Sequence, residues 1–178
     1  FISLFLAVVT MHLGRTKREH QLFSIYCILQ ALYSFDNLME IILTSGSMSL
    51  TISRMDHFFF VFMVPVSVQF IHRVLGILDR KWLERLLYLL SLLFAPLTQT
   101  SYYFPGVQER FFGFYPTTGI ALDSFIAMGT VIIIYITVLL WRRQGGTENR
   151  EQLLTNRFLL SGFILQISLN CLDSLPLF

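Results

Sequence analysis

Residues 22–43 read "LFSIYCILQALYSFDNLMEIIL". A helix that crosses a bilayer needs about 20 mostly apolar residues, and this run supplies them. It also holds two acids, Asp36 and Glu40, with Asn37 between them. Carboxylates inside such a segment either reach water at a helix end or line a polar interior. Which of the two applies depends on the direction of the helix and on the polar residues of the other segments.

Composition supports the bilayer reading. Of the 178 residues, 54% are hydrophobic and 13% charged, and the mean hydropathy is +0.64. A soluble domain carries about 25% charged residues. An integral membrane protein is therefore expected, with the lipid bilayer as its main partner. A net charge of +2 is too small to call for a nucleic acid. The chain opens and closes inside apolar runs, so a fragment, or the ordered part of a longer chain, is expected.

Six apolar runs stand out: 1–13, 22–43, 57–78, 85–104, 119–141 and 158–178, the first and last of them clipped. Lipid offers no partner to an unpaired backbone group, so continuous runs of this kind predict helices. A barrel would need alternating segments of about ten residues. The expected fold class is all-α, a polytopic transmembrane helix bundle forming a single domain over residues 1–178.

The breaks between the runs give the direction. "GRTKREHQ" (14–21), "RVLGILDRKWLER" (73–85) and "RRQGGTENREQLLTNR" (142–157) are basic. "TSGSMSLTISRMD" (44–56) is small and polar, and "PGVQERFFGFYPTTG" (105–119) is aromatic. Eleven of the 13 Lys and Arg residues fall in the first set, leaving Arg54 and Arg110 in the second. Positive charge stays on the cytoplasmic side. A multi-pass plasma (inner) membrane protein follows, with turns 14–21, 79–85 and 142–157 in the cytoplasm.

With that direction, polar residues from several helices share one depth. Asp36, Asn37 and Glu40 join Gln30, Tyr33 and Ser34 in a stripe at three- and four-residue spacing on the second helix. Gln166, Asn170, Asp173 and Ser174 form a similar stripe on the sixth. Asp123 opens the fifth helix, "RMDH" brings Arg54, Asp56 and His57 to the start of the third, and Gln99 lies on the fourth. Ionisable residues within a membrane usually face the bundle interior and mark a site. The predicted ligand cavity opens to the outer side and is lined by Asp36, Asn37, Glu40, Arg54, His57, Gln99, Asp123, Asn170 and Asp173. The competing account is that these acids reach headgroup water or pair with Arg54 and Arg110. At least one of those arginines is expected within ion-pair reach of Asp36, Glu40, Asp123 or Asp173. If neither is, a cationic ligand or a protonated carboxyl accounts better for the acids.

Other chemistry finds less support. No cofactor and no metal is expected. A bis-His haem on His12 and His72 would use histidines that lie near a wet interface. A metal on His57 with Asp36, Glu40 and Asp173 suits the donor preferences of Zn²⁺ or Mn²⁺, but no close-spaced ligand motif backs it. Lys17 and Lys81 lie in turns, which leaves no lysine for a retinal Schiff base. No P-loop, G-x-S-x-G or H-E-x-x-H motif occurs, so no catalytic constellation is seen. Cys27 and Cys171 are assigned to opposite sides and are not expected to bridge. "FFGFY" (111–115), with Tyr102, Tyr103 and Phe104, reads as an interfacial aromatic belt, as does "FFFVF" (58–62). Pro65 and Pro96 are placed to kink the third and fourth helices.

Four stretches carry a family resemblance. They are the basic turn 14–21, the helix "FSIYCILQALYSFDNLME", "RMDHFFFVFMVPVSVQFIHRVLG" with Pro65 ahead of Phe70, and "RFLLSGFILQISLNCLDSLP" (157–176). Together they resemble the N-terminal seven-helix sensor region of bacterial receptor histidine kinases, diguanylate cyclases and related signalling proteins. The resemblance implies a membrane-embedded receptor input domain whose outer cavity takes a small molecule or a lipid. It also implies a seventh helix, a cytoplasmic output domain and a homodimer formed through those further parts. Two other classes remain open on the residues alone: an accessory subunit of a membrane complex, and a transporter or channel fragment.

Overall fold

The computed structural model describes residues 2–14, 17–43, 45–110, 113–144, 154 and 157–162. Among them are six helices and one hairpin: α1 (Ile2–Leu13), α2 (Arg18–Ile42), α3 (Gly46–Phe60), α4 (Met63–Val74), α5 (Lys81–Leu97), β1 (Val107–Arg110), β2 (Gly113–Pro116) and α6 (Ile120–Gln144). The chain is mostly helical, as expected. The hairpin corrects the all-α reading: within 105–119, Val107 pairs with Pro116 and Arg110 with Gly113 in an antiparallel ladder. Two compact units divide the chain, Phe1–Gly129 and Thr130–Phe178.

Two helical stretches among the described residues are long and apolar enough to cross a membrane, Gly46–Val74 and Ile120–Arg143. That is fewer than the six spans expected. Helix α1 has 12 residues and α5 has 17, while α2 has 25 but carries Arg18, Glu19, Asp36 and Glu40. Most of the 158–178 run lies outside the described residues.

In the first unit α2 and α5 both run antiparallel to α3 and α4. Along α2 the pairing is read from Phe23 against Phe70 (ring centroids 5.5 Å apart), Tyr33 stacked on Phe60 (4.7 Å) and Asp36 against Ser53. Along α5 it is read from His72–Glu84, Gln69–Tyr88, Val61–Ser91 and Arg54–Gln99. The hairpin packs on the N-terminal end of α3, where Ser49 Oγ donates to the Phe114 carbonyl at 2.9 Å. Gly46 makes this approach possible: a Cβ there would lie 2.9 Å from a Val107 methyl.

The third run begins earlier than its hydropathy suggests. Residues 46–56, read as a polar break, are the first turns of α3. Their hydroxyls bond within the protein, at the surface for Ser47 and Thr51 and in the interior for Ser49 and Ser53. Thr51 Oγ1 donates to the Ser47 carbonyl at 2.9 Å, and Ser49 and Ser53 are fully buried and donate to other elements. Small hydroxyl residues that bond within or between helices are at home in tightly packed helical interiors. One consequence concerns position. Asp56 and His57 now stand about 15–17 Å along the helix from Gly46, inside the segment instead of at its start.

The same segment breaks at Val61–Phe62, between α3 and α4. Pro65 is the cause. It has no N–H to give to the carbonyl four residues before it, which belongs to Val61. Ser91 Oγ of α5 donates to that carbonyl instead, at 2.7 Å, from a fully buried position. Pro96 lies in the last turn of α5. Beyond α4, Gly76 takes a positive φ of 67°, and the Ile77 N–H closes on the His72 carbonyl at 2.8 Å. This helix stop, built on a left-handed glycine, makes the tight 75–80 turn.

Burial in the first unit is mixed: apolar clusters around Val61, Tyr103, Phe104 and Phe125 and around Leu29, Met63 and Val66 are enclosed, and so are several polar side chains, while many large apolar side chains face outward. On α2, Asp36 is 1% exposed while Phe35 is 53% and Ile41 61% exposed. Ser24, Ser49, Ser53, Ser91, Thr98, His72 and Glu84 are buried, whereas Leu89, Leu92 and Leu93 face outward. In the second unit the described part of α6 buries Ile132, Ile136 and Leu140 and exposes Val131, Ile134 and Trp141.

Candidate functional site

Asp36, Asp56 and His57 converge in the first unit. One carboxylate oxygen of each acid and a ring nitrogen of His57 lie within 4.8 Å of one another. Helix periodicity explains how. Ser53, Asp56 and His57 are three and four residues apart, so one face of α3 presents all of them. Antiparallel packing sets Asp36 of α2 opposite that face.

Local bonds orient the group. Ser53 Oγ donates to Asp36 Oδ1 at 3.3 Å. Nδ1 of His57 is 3.0 Å from the Ser53 carbonyl. A carbonyl only accepts, so Nδ1 carries the proton and the lone pair of the neutral ring is on Nε2. Around the imidazole stand Tyr33, Phe60, Tyr103 and Phe104, with ring centroids 6.2, 5.3, 5.7 and 4.7 Å from it. Two buried polar atoms in this shell have no hydrogen-bond partner among the described residues: Asp56 Oδ2 and the Tyr103 hydroxyl.

A network beneath the hairpin holds the aromatic wall in place. Gly119 packs so closely under the Tyr102–Phe104 turn that a Cβ would fall 2.2 Å from the Tyr102 oxygen. Its N–H bonds the Tyr103 carbonyl at 2.9 Å, and Ala121 N–H bonds that of Tyr102 at 3.0 Å. Arg54 Nη2 donates to the Phe104 carbonyl at 2.7 Å, and Gln99 Nε2 donates to the Arg54 carbonyl at 2.8 Å. Arg54 and Gln99 therefore support the site's aromatic wall.

The structure places the other expected residues as follows, and the expected arginine pairing is open for Glu40 and Asp173, whose side chains lie outside the described residues. Neither Arg54 nor Arg110 forms an ion pair with an acid among the described residues, and neither Asp36 nor Asp56 pairs with a Lys or Arg there. Arg54 spends its guanidinium on a backbone carbonyl, and Arg110 is exposed on the hairpin. Asp123 is exposed in the first turn of α6, where the helix dipole favours a negative charge, and is not part of the cluster. Asn37 is half-buried next to Asp36. Ser34, placed in the polar stripe, is exposed and donates back to the Gln30 carbonyl at 2.9 Å. Tyr103 and Phe104 are 0% and 1% exposed, so they belong to the interior and not to an interfacial belt; Tyr102 does face outward. The Glu40 side chain, Asn170 and Asp173 lie outside the described residues, as do Phe111 and Phe112.

One member of the cluster, Asp56, and one buried acid outside it, Glu84, are absent from the expected cavity. "RMDH" sets Asp56 beside His57, yet the cavity expected from the sequence takes Arg54 and His57 from that stretch without it. Glu84 was not singled out at all. It accepts from or donates to His72 through Oε1 and Nδ1 at 2.9 Å, and both side chains are buried. Their twelve-residue separation across a turn leaves no local signal.

No family model matches the chain, and comparison with curated proteins and with solved structures finds no match either.

Proposed function

We propose that this chain is a membrane-embedded receptor input domain, whose site on the outer side is built from Asp36, Asp56 and His57. The reading keeps the six-span arrangement, with Gly46–Val74 as one broken span and α2 and α5 as its neighbours. Helices of 25 and 17 residues are about 37 and 26 Å long, comparable with a hydrocarbon core of about 30 Å. A signal at the site would shift the packing of α2 against α3 and pass to a cytoplasmic output domain. A ligand moves such an equilibrium only through its different affinity for the two packings.

The observation that carries this reading is the enclosure of polar and ionisable side chains beside a broad outward-facing apolar surface. Acids, hydroxyls and an imidazole are enclosed while Phe, Leu and Ile side chains face outward. In water that arrangement is costly on both counts; in lipid it is favourable on both. The enclosure of Asp36 also weighs against an accessory subunit whose acids would pair with a partner's cations, since a fully buried carboxylate is out of a partner's reach.

The test uses the full-length receptor in membranes. Asp36→Asn removes a charge at nearly constant volume. An altered response with normal insertion and folding is expected. A normal response accompanied only by lower thermal stability would reduce the cluster to a structural network.

A further inference from the structure

The cluster has the composition of a cation site, and we infer that it binds one divalent transition-metal ion of the zinc or manganese type. The inference rests on the reading of Asp36, Asp56 and His57 as a ligand site and names the ligand. Two carboxylates and one imidazole suit these ions. The two carboxylates also cancel a dipositive charge, which matters where water is excluded. The cluster lacks a Lys or Arg counter-charge among the described residues.

Independent support comes from the unpartnered atoms. Asp56 is 8% exposed, and its Oδ2 has no hydrogen bond. The Tyr103 hydroxyl, on a side chain with no exposure, likewise has none, and its ring packs edge-on against His57. Buried polar atoms left open in this way are uncommon in folded proteins.

The imidazole is already set for ligation. Its Nδ1–H is held by the Ser53 carbonyl at 3.0 Å, which fixes the tautomer with Nε2 as the donor to the metal. Metal-binding histidines generally give their other N–H to such an acceptor. Ser53 also donates to Asp36, so one residue orients two ligands. Donors around a tetrahedral zinc ion stand about 3.4 Å apart, given metal–ligand distances of about 2.0–2.2 Å. From the 4.8 Å bound on the present separations the closure needed is at most about 1.4 Å, within reach of side-chain rotation. Three protein ligands leave one tetrahedral position open, as in sites that exchange a ligand.

The experiment titrates Zn²⁺ into the chelator-stripped full chain in detergent micelles. Saturable binding of one ion per chain is expected. Asp56→Asn and His57→Gln should each weaken it ~10-fold or more, and Asp123→Asn, at an exposed acid away from the cluster, should leave it unchanged. X-ray absorption at the zinc edge of the unsubstituted protein covers the case of a variant that misfolds. It should show only nitrogen and oxygen neighbours, with imidazole scattering. Absence of saturable binding, survival of binding in both variants, or sulfur in the first shell would overturn the inference. Zinc binding without any effect of Asp36→Asn on the response would instead count against the input-site reading, so the two claims fail separately.

Discussion

Asp36 shows at the scale of one residue how a sequence can point to a site and still misplace its members. Its neighbours "SFDNLME" already marked it as a carboxylate with a purpose in an apolar run. The side chain is buried and accepts from Ser53, so interior placement was legible. What was not legible is the partner. Asp56 is twenty residues away on another helix, and only the antiparallel register sets the two opposite. Ser53→Ala tests the orienting role. It removes the donor to Asp36 but leaves the carbonyl that holds His57, so zinc affinity should fall less than in His57→Gln, as titration calorimetry would show. Gly119→Ala is expected to lower the melting temperature. The new methyl meets the Tyr102 oxygen at 2.2 Å, and overpacking of this kind costs about 1–3 kcal/mol. His72→Ala should also destabilise, by about 1–3 kcal/mol, because it strips the buried Glu84 carboxyl of its partner. His72→Gln, which can keep a donor there, should recover part of the loss in the same melting assay.

At the scale of elements, the apolar runs located the helices well and their ends poorly. The stretch 44–56 was read as a loop because serine and threonine dominate it. In the folded chain Thr51 bonds an i−4 carbonyl, Ser49 the hairpin and Ser53 Asp36, so a serine- and threonine-rich stretch continues the helix. The hairpin had no visible signal beyond its prolines and glycines, since strands of four residues are too short to show an alternation. Pro65 was legible as an interruption, but its repair by Ser91 was not. That repair makes a double-mutant prediction. Ser91→Ala alone should cost about 1–3 kcal/mol by leaving the Val61 carbonyl unsatisfied. In a Pro65→Ala background the restored N–H can serve that carbonyl, so the same change should cost less. A coupling of about 0.5 kcal/mol or more between the two, read from denaturation midpoints, is the expected outcome. Strict additivity would mean that the Ser91 hydroxyl does not substitute for the missing N–H.

On the scale of the whole molecule, composition and the distribution of basic residues give the proposed orientation, and the first unit's pairings say which ends of its helices meet. The hairpin and the N-terminal end of α3, both assigned to the outer side, meet each other. At the opposite end of α3–α4 lie the tight 75–80 turn and the start of α2, both assigned to the cytoplasm. The account stands on that alternation, because the depth of Asp36, Asp56 and His57 and the side from which a ligand enters both follow from it. Single-cysteine variants at two exposed positions test it most directly: Ser47 at the start of α3 and Asp79 in the turn after α4. Made in a Cys27→Ser, Cys171→Ser background and treated in intact cells with a membrane-impermeant thiol reagent, Ser47→Cys should be labelled and Asp79→Cys protected until the membrane is opened. Labelling of both from the same side would contradict the account.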